Sequence, residues 1–297
     1  MTPQILLTLA VFLWSTAFVA IRVALHDYSP GSIALFRFLI AALCLLVPYF
    51  RLPKRHAVGV REGFLLFLIG PIGIGGYSVL LNYSEVQVPA GIASFVVSLT
   101  PVFSSVLAIF ILKEKASLSI FLGLLVSILG LFVMAAGDIA NLKYDLALLW
   151  VILAVVCGGI QSIAQKILLR TLPALELVTY SMWLSVLALS IYSDELAQNL
   201  VSASWSTTLW CIYLGVVPAF VAQWCWSHAL AKIQLVNANT YLFAMPIITT
   251  MMGFIALGES PGLFGFLGGM LALVGAYISV RQPLEPRVSP AYTDSQG

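Results

Sequence analysis

Residues 81–137 decide the fold, and they read LNYSEVQVPAGIASFVVSLTPVFSSVLAIFILKEKASLSIFLGLLVSILGLFVMAAG. The stretch is an apolar run interrupted by Pro101, then Glu114, then a second apolar run that carries two glycines seven residues apart. The same features recur 145 positions later without a gap, so that Pro101 corresponds to Pro246 and Glu114 to Glu259. The chain therefore contains two copies of one unit.

Both copies consist mainly of long uncharged stretches. Of the 297 residues, 61% are hydrophobic and only 9% are charged, whereas soluble domains carry about 25% charged residues. Uncharged apolar runs of about 18 residues or more predict membrane-spanning helices. We therefore expect an all-α membrane protein with ten transmembrane helices, over residues 4–25, 31–50, 63–82, 89–112, 117–136, 146–169, 174–193, 208–229, 235–257 and 261–281.

The distribution of Lys and Arg predicts the orientation, because basic loops stay in the cytoplasm. Of these 14 residues, 11 fall on the side that holds the N-terminus, one falls on the opposite side, and Arg22 and Arg37 lie within spans. Both termini are therefore expected to be cytoplasmic. Because each copy has an odd number of spans, the two copies, residues 1–137 and 146–281, are expected to be inverted five-helix repeats. The polar, proline-containing residues 282–297 are expected to form a disordered cytoplasmic tail.

The duplicated residues have structural interpretations. Pro101 and Pro246 are interpreted as paired kinks and hinge candidates inside apolar helices, because neighbouring helices in a membrane can satisfy the freed carbonyls. Glu114 and Glu259 each precede a helix by two or three residues and are expected to cap the free N–H groups of that helix. Asp and Glu are absent from the interiors of the predicted spans, which argues against a dedicated Na⁺ or proton relay built on buried carboxylates. Close helix contact is expected at Gly123, Gly130, Gly268 and Gly275.

Two short motifs complete the pattern: WSTAF at residues 14–18 in the first span and RF at residues 37–38 in the second. With the order of the duplicated residues and the number of spans, they make residues 4–281 resemble the EamA branch of the drug/metabolite transporter superfamily. The resemblance implies a ten-helix inner-membrane carrier, in bacteria often an exporter of amino acids or related metabolites, with a central cavity lined by both halves. In the second copy Cys157 and Tyr180 replace Trp14 and Arg37, so the expected lining is asymmetric and the substrate is not implied.

Polar and aromatic residues within the spans are candidates for lining the cavity. Arg37 lies nearly two turns into its span, where a guanidinium is costly unless it is paired or hydrated, so we expect it to face the bundle interior. Trp14 and Phe18 share one helix face, either as packing or as a wall for a substrate side chain or cationic head. His228 is either an interfacial hydrogen-bonding residue or, if transport is proton-coupled, a proton carrier. The full set of cavity candidates is Trp14, Ser15, Phe18, Arg37, Tyr77, Gln161, Gln165, Trp224, His228, Asn239 and Tyr241.

The sequence lacks the motifs of membrane-embedded enzymes. It has no GxSxG or HExxH, and its four cysteines lie in apolar runs without metal-binding spacing, so we expect no enzyme, metal or cofactor. The predicted function is export of amino acids or related small metabolites by alternating access at the bacterial inner membrane; the open alternative is a multidrug or cationic-compound exporter. The expected partners are a small-molecule substrate and the lipid bilayer, with no nucleic acid. A monomer is compatible with the sequence, which does not fix the oligomeric state.

Overall fold

The structure, a computed structural model, describes residues 1–88, 90–114, 118–139, 145–258 and 263–280. Within these ranges the regular secondary structure is entirely helical. Seven stretches of the described chain are long and apolar enough to cross a membrane. Many of the outward-facing side chains along them are large and apolar, as a lipid environment requires, and examples are Leu43, Val47, Phe50 and Leu187.

The first half of the chain forms six helical segments. Two of them include π-helical turns, in which an extra residue widens the helix. The segments are α1 (Pro3–Ala24), α2 (Pro30–Phe50), α3 (Val60–Glu85, π-helical over Leu68–Gly76), α4 (Ala90–Val97), α5 (Thr100–Leu112, π-helical over Ala108–Leu112) and α6 (Leu118–Ile139).

The second half forms seven segments over its described residues. A short 3-10 turn, Ser190–Tyr192, separates the second and third of them. They are α7 (Asp145–Leu168), α8 (Ala174–Leu189), α9 (Ser193–Ser202), α10 (Trp205–Lys232, π-helical over Gly215–Ala222), α11 (Leu235–Leu242), α12 (Met245–Leu257) and α13 (Leu263–Val280).

One π-helical irregularity recurs in both halves. The π-helical turns of α3 and α10 occupy nearly corresponding positions, and each contains a proline, Pro71 or Pro218. A proline removes one backbone donor and crowds the preceding turn, which a wider turn accommodates.

Pro101 and Pro246 do not kink a continuous helix. Each lies in the first turn of a new helix, because a two-residue turn, Ser98–Leu99 or Phe243–Ala244, separates it from the preceding helix. The two turns are 145 residues apart. A proline is tolerated in a first turn because the N–H it lacks has no helical partner there. The predicted interruption is thus present, but as a helix break that precedes the proline.

Glu114 caps a different helix from the one predicted. Its two carboxylate oxygens accept hydrogen bonds from the backbone N–H groups of Leu235 and Val236, both at 3.1 Å, at the start of α11 in the second half. The carboxylate therefore caps a helix of the other half of the chain, while the start of the helix that follows it, residues 115–117, lies outside the described residues. Glu259 lies outside the described residues.

Two further helix ends are held by charged side chains. Lys166 is buried, and its ammonium donates to the carbonyl oxygens of Leu230 and Ile233 at the C-terminal end of α10, where a cation is favourable. Asp27, in the loop after α1, accepts from the backbone N–H of Ser204 at 3.0 Å and from the Thr207 hydroxyl at 2.6 Å, at the start of α10.

Helices α6 and α13 pack directly against each other. A Cβ atom on Gly275 would press against the backbone nitrogen of Ser127 and lie 2.5 Å from the carbonyl oxygen of Gly123. The prediction of close helix contact through these glycines is thereby confirmed for the Gly123–Gly275 pair.

Two acidic residues are buried at the ends of described helices, outside the interiors of the predicted spans. Helix α3 runs three residues beyond the predicted span and ends at Glu85, which is 0% exposed. Glu176, in the first turn of α8, is also 0% exposed and contacts Nδ1 of His56 at 2.9 Å. Both carboxylates lie near helix ends, where the apolar periodicity gives little indication of burial.

Candidate functional site

A cavity of about 150 Å³ lies between the two halves. Helices α1 to α5 line it from the first half, and α7, α8, α10, α11 and α12 line it from the second. For comparison, an apolar cavity of about 150 Å³ in another protein holds a benzene molecule. The space thus suits a small metabolite.

The breaks in both halves contribute to the wall. Ser98, Thr100 and Pro101 line the cavity at the α4–α5 break, and Leu242 and Met245 line it at the α11–α12 break. In membrane transporters, interrupted helices expose unsatisfied backbone groups to a central site. The duplicated sequence feature that defines the fold therefore borders the cavity from both sides.

One side of the wall is aromatic. Trp14 and Phe18 of α1 line the cavity together with Trp226 of α10, whose ring centroid is 5.2 Å from that of Trp14. The indole nitrogen of Trp14 donates to the carbonyl oxygen of Pro218 at 3.1 Å, within the π-helical turns of α10. This hydrogen bond fixes the orientation of the ring.

Arg37 is the charged side chain of the described lining. It is 8% exposed, its Nη1 donates to the Ser78 hydroxyl at 3.2 Å, and its Cζ lies 4.9 Å from the centroid of the Phe38 ring. Its Nε has no hydrogen-bond partner within the described part of the chain. The buried carboxylate of Glu85 attracts the guanidinium from outside the lining.

Amide and hydroxyl groups complete the polar lining. Gln161, Gln165 and Gln223 face the cavity, and Nε2 of Gln165 donates to the Ser227 hydroxyl at 2.7 Å. Among the described residues, Nε2 of Gln223 and the hydroxyl of Thr100 have no partner. Buried polar groups are normally hydrogen-bonded, so these two are available to a bound molecule.

The structure brings six of the eleven sequence candidates to the cavity. They are Trp14, Phe18, Arg37, Tyr77, Gln161 and Gln165.

The other candidates lie outside the cavity lining. The Ser15 hydroxyl donates to the Val11 carbonyl at 2.8 Å, and the Asn239 amide donates to Pro101 O and to Ser104 and Ser105. The rings of Trp224 and His228 contact each other, with centroids 4.4 Å apart and planes tilted by 51°. Tyr241 is half-buried.

Sequence reasoning selected the wrong face of α10. Gln223 and Trp226, three residues apart, share the face toward the cavity, whereas Trp224 and His228, four apart, share a different face. The signal that could have separated them is the position of Pro218, which lies one helical turn before Gln223 and also lines the cavity. Within the described ranges, no three His, Cys, Asp or Glu side chains are grouped so as to hold a metal ion.

Comparison with known proteins identifies the family. The model of the EamA-like transporter family matches residues 1–136 and again residues 145–281. A protein of Streptantibioticus cattleyicolor named "Probable terminal-alkyne amino-acid exporter" is 31% identical over 281 residues, which cover 95% of this chain and 94% of the relative. A Salmonella typhimurium protein named "Probable amino-acid metabolite efflux pump" is 25% identical over 287 residues, which cover 92% of each chain.

A solved structure described as "Crystal structure of protein" has the same fold, with a TM-score of 0.74 at 17% identity, covering 94% of this chain and 98% of the other. The fold, the central cavity and the two matches to one family model lead to one conclusion: this multi-pass membrane protein belongs to the EamA-like transporter family.

Proposed function

We propose that the protein exports amino acids or related small metabolites across the bacterial inner membrane. The observation that carries the proposal is a cavity lined by both halves of the chain, with a helix break of each half in its wall. Relatives that are similar over nearly the whole length are named as amino-acid or amino-acid metabolite exporters. Within this proposal the protein is a carrier and not an enzyme, with both termini in the cytoplasm.

The proposed mechanism is alternating access by two inverted five-helix halves, ten membrane helices in all. The 145-residue register of the two breaks and the matching π-helical turns support it. Inverted repeats allow the two halves to exchange conformations, so that one site faces each side of the membrane in turn.

Export of cationic compounds is the second candidate, favoured by the aromatic wall of Trp14 and Trp226. The guanidinium of Arg37 in the same cavity opposes it, because like charges in a site of low dielectric repel strongly.

Flux from reconstituted vesicles tests the proposal. Vesicles loaded with single radiolabelled amino acids should show saturable, protein-dependent efflux for a subset of them, and a cationic dye should not compete. Vesicles that show no saturable flux of any amino acid, or that transport the dye instead, would contradict the proposal.

A matched pair of glycine variants connects that flux to the cavity. A Cβ on Gly158 would lie 3.0 Å from Thr100 Cγ2 at the cavity wall, whereas a Cβ on Gly63 meets nothing within 4 Å. Gly158→Leu should therefore fill the cavity and abolish flux, while Gly63→Leu should transport normally. Equal activity of the two variants would place the transport path elsewhere.

A further inference from the structure

The charge of the cavity wall is unbalanced. Arg37 contributes a positive charge, and the rest of the described lining is apolar or uncharged polar. A buried charge is costly unless a partner of opposite sign and hydrogen bonds compensate for it. Glu85 attracts the guanidinium from outside the lining, and a bound molecule that brings a negative charge into the cavity would add to this stabilisation of Arg37.

The guanidinium is held in place for such a partner. Nη1 is fixed on the Ser78 hydroxyl and the group lies near the Phe38 ring, while Nε has no partner within the described residues. A guanidinium binds a carboxylate through two parallel hydrogen bonds, a geometry that the ammonium of a lysine cannot reproduce.

A positively charged amino group would find a different environment. No carboxylate faces the cavity in the described lining; Glu85 and Glu114 are buried outside it. The acceptors that the wall offers to an ammonium are uncharged, chiefly the amide oxygens of Gln161 and Gln223 and the π face of Trp14. Such groups tolerate an amino group without requiring one.

We propose that Arg37 binds the carboxylate of the substrate, and that the cavity selects small monocarboxylates whether or not they carry an α-amino group. This inference rests on the proposed transport function and extends it from amino acids to their 2-oxo and 2-hydroxy analogues. Amines that lack the carboxylate are excluded. The substituent on the α-carbon packs against Trp14, Phe18 and Trp226.

A ligand series tests the inference on the purified protein and in vesicles. The series consists of leucine, its 2-oxo acid, its 2-hydroxy acid and isoamylamine. All four carry the same branched alkyl chain; the three acids differ in the group on the α-carbon, and isoamylamine keeps the amino group but lacks the carboxylate. Binding is measured as the ligand-induced rise in melting temperature, and transport is measured as competition with the amino acid that gives the largest flux. The three acids should bind and compete, whereas isoamylamine should do neither.

Arg37 variants identify the group that makes this distinction. Arg37→Gln should weaken binding of the acids about tenfold or more, as expected for loss of a charge-assisted pair, and should remove their advantage over the amine. Arg37→Lys, which keeps the charge but not the paired hydrogen bonds, should retain only part of the preference for the acids over the amine. Because Arg37→Gln could fail to fold, Ser78→Ala provides a second variant. It removes the hydrogen bond that holds the Arg37 guanidinium and should weaken binding of the acids by a smaller factor than Arg37→Gln. Arg51→Gln, at an exposed arginine outside the lining, is the control and should keep the preference of the wild type for the acids over the amine.

The outcomes separate the two proposals. Amino-acid flux accompanied by exclusion of the 2-oxo and 2-hydroxy acids, or by binding of isoamylamine, would overturn the inference while leaving the transport function in place. Arg37-dependent binding of the acids without flux of any amino acid would overturn the transport function alone. Competition by a long-chain fatty acid but not by the six-carbon acids would assign the carboxylate site to a lipid and also overturn the inference.

Discussion

Replacement of Glu114 tests the contact that joins the end of α5 to the start of α11. In the E114A variant both acceptors of the Leu235 and Val236 N–H groups are lost. In the E114Q variant one carbonyl oxygen remains, but the charge and the second acceptor are lost. The exposed carboxylate of Asp194, also in the first turn of a helix, provides the control variant D194A.

The magnitude follows from the burial of the groups involved. Glu114 is 6% exposed, and Leu235 and Val236 are 0% and 1% exposed, so water does not readily replace the lost acceptors. Removing a helix N-cap costs about 0.5–2 kcal/mol, and a buried donor left without a partner costs about 1–3 kcal/mol. We expect E114A to lower the free energy of unfolding by about 2–4 kcal/mol and E114Q by roughly half as much. D194A should cost less than about 0.5 kcal/mol.

A thiol-reactive dye provides the assay. Cys211 and Cys225 are free and buried, so they react when the protein unfolds and report the melting temperature in detergent. The expected order of melting temperatures is wild type and D194A highest, then E114Q, then E114A. If E114A and D194A had the same melting temperature, the hydrogen bonds from Leu235 and Val236 to the carboxylate would contribute no measurable stability, and the reasoning would be refuted.

Three further predictions concern glycine packing, pH and the helix breaks. Gly275→Ala should destabilise the protein by about 1–3 kcal/mol by overpacking the α6–α13 contact. Gly63→Ala, with open space around its Cβ, should stabilise it by about 0.5–1 kcal/mol through helix propensity. Equal melting temperatures of the two variants would show that α6 and α13 are not closely packed at Gly275. Hydrogen bonds from the first turn of α10 hold the pKa of Asp27 below its ordinary value, so its stabilising effect is present above about pH 4 and is lost as the pH falls through the folded-state pKa. The difference in melting temperature between wild type and Asp27→Asn should therefore decrease as the pH is lowered. An increase in this difference would contradict a stabilising role of the ionised Asp27 carboxylate. Replacing both Pro101 and Pro246 by alanine should nearly abolish flux while the protein still inserts and folds, because alanine lets the two broken helices become continuous; normal flux would show that the breaks are dispensable.

The sequence predicted features that depend on local pattern. Apolar runs predicted the helices, and the 145-residue repeat predicted that Pro101 and Pro246 mark equivalent irregularities, because a proline interrupts a helix wherever it falls. Arg37 was expected to face the bundle interior because a charged group is costly in lipid, and it lines the cavity.

Features that depend on which segments meet in space could not be predicted in this way. Glu114 was assigned to the helix that follows it in the chain, whereas the N-terminus that it caps lies about 120 residues away. On α10, the periodicity shows that Gln223 and Trp226 share a face but not which face turns toward the cavity. The π-helical turns add to this difficulty, because each extra residue rotates all later side chains relative to a regular helix.

The close backbone contact between α6 and α13 has a consequence for any transport cycle. Neither helix contributes a side chain to the described wall of the cavity, and each closes its own half of the chain. Their junction at Gly123 and Gly275 leaves no room for even one additional methyl group. Within the alternating access proposed above, we expect the halves to pivot about this junction, so that motion that widens the entrance on one membrane face would narrow it on the other and prevent leakage through a pore open at both ends.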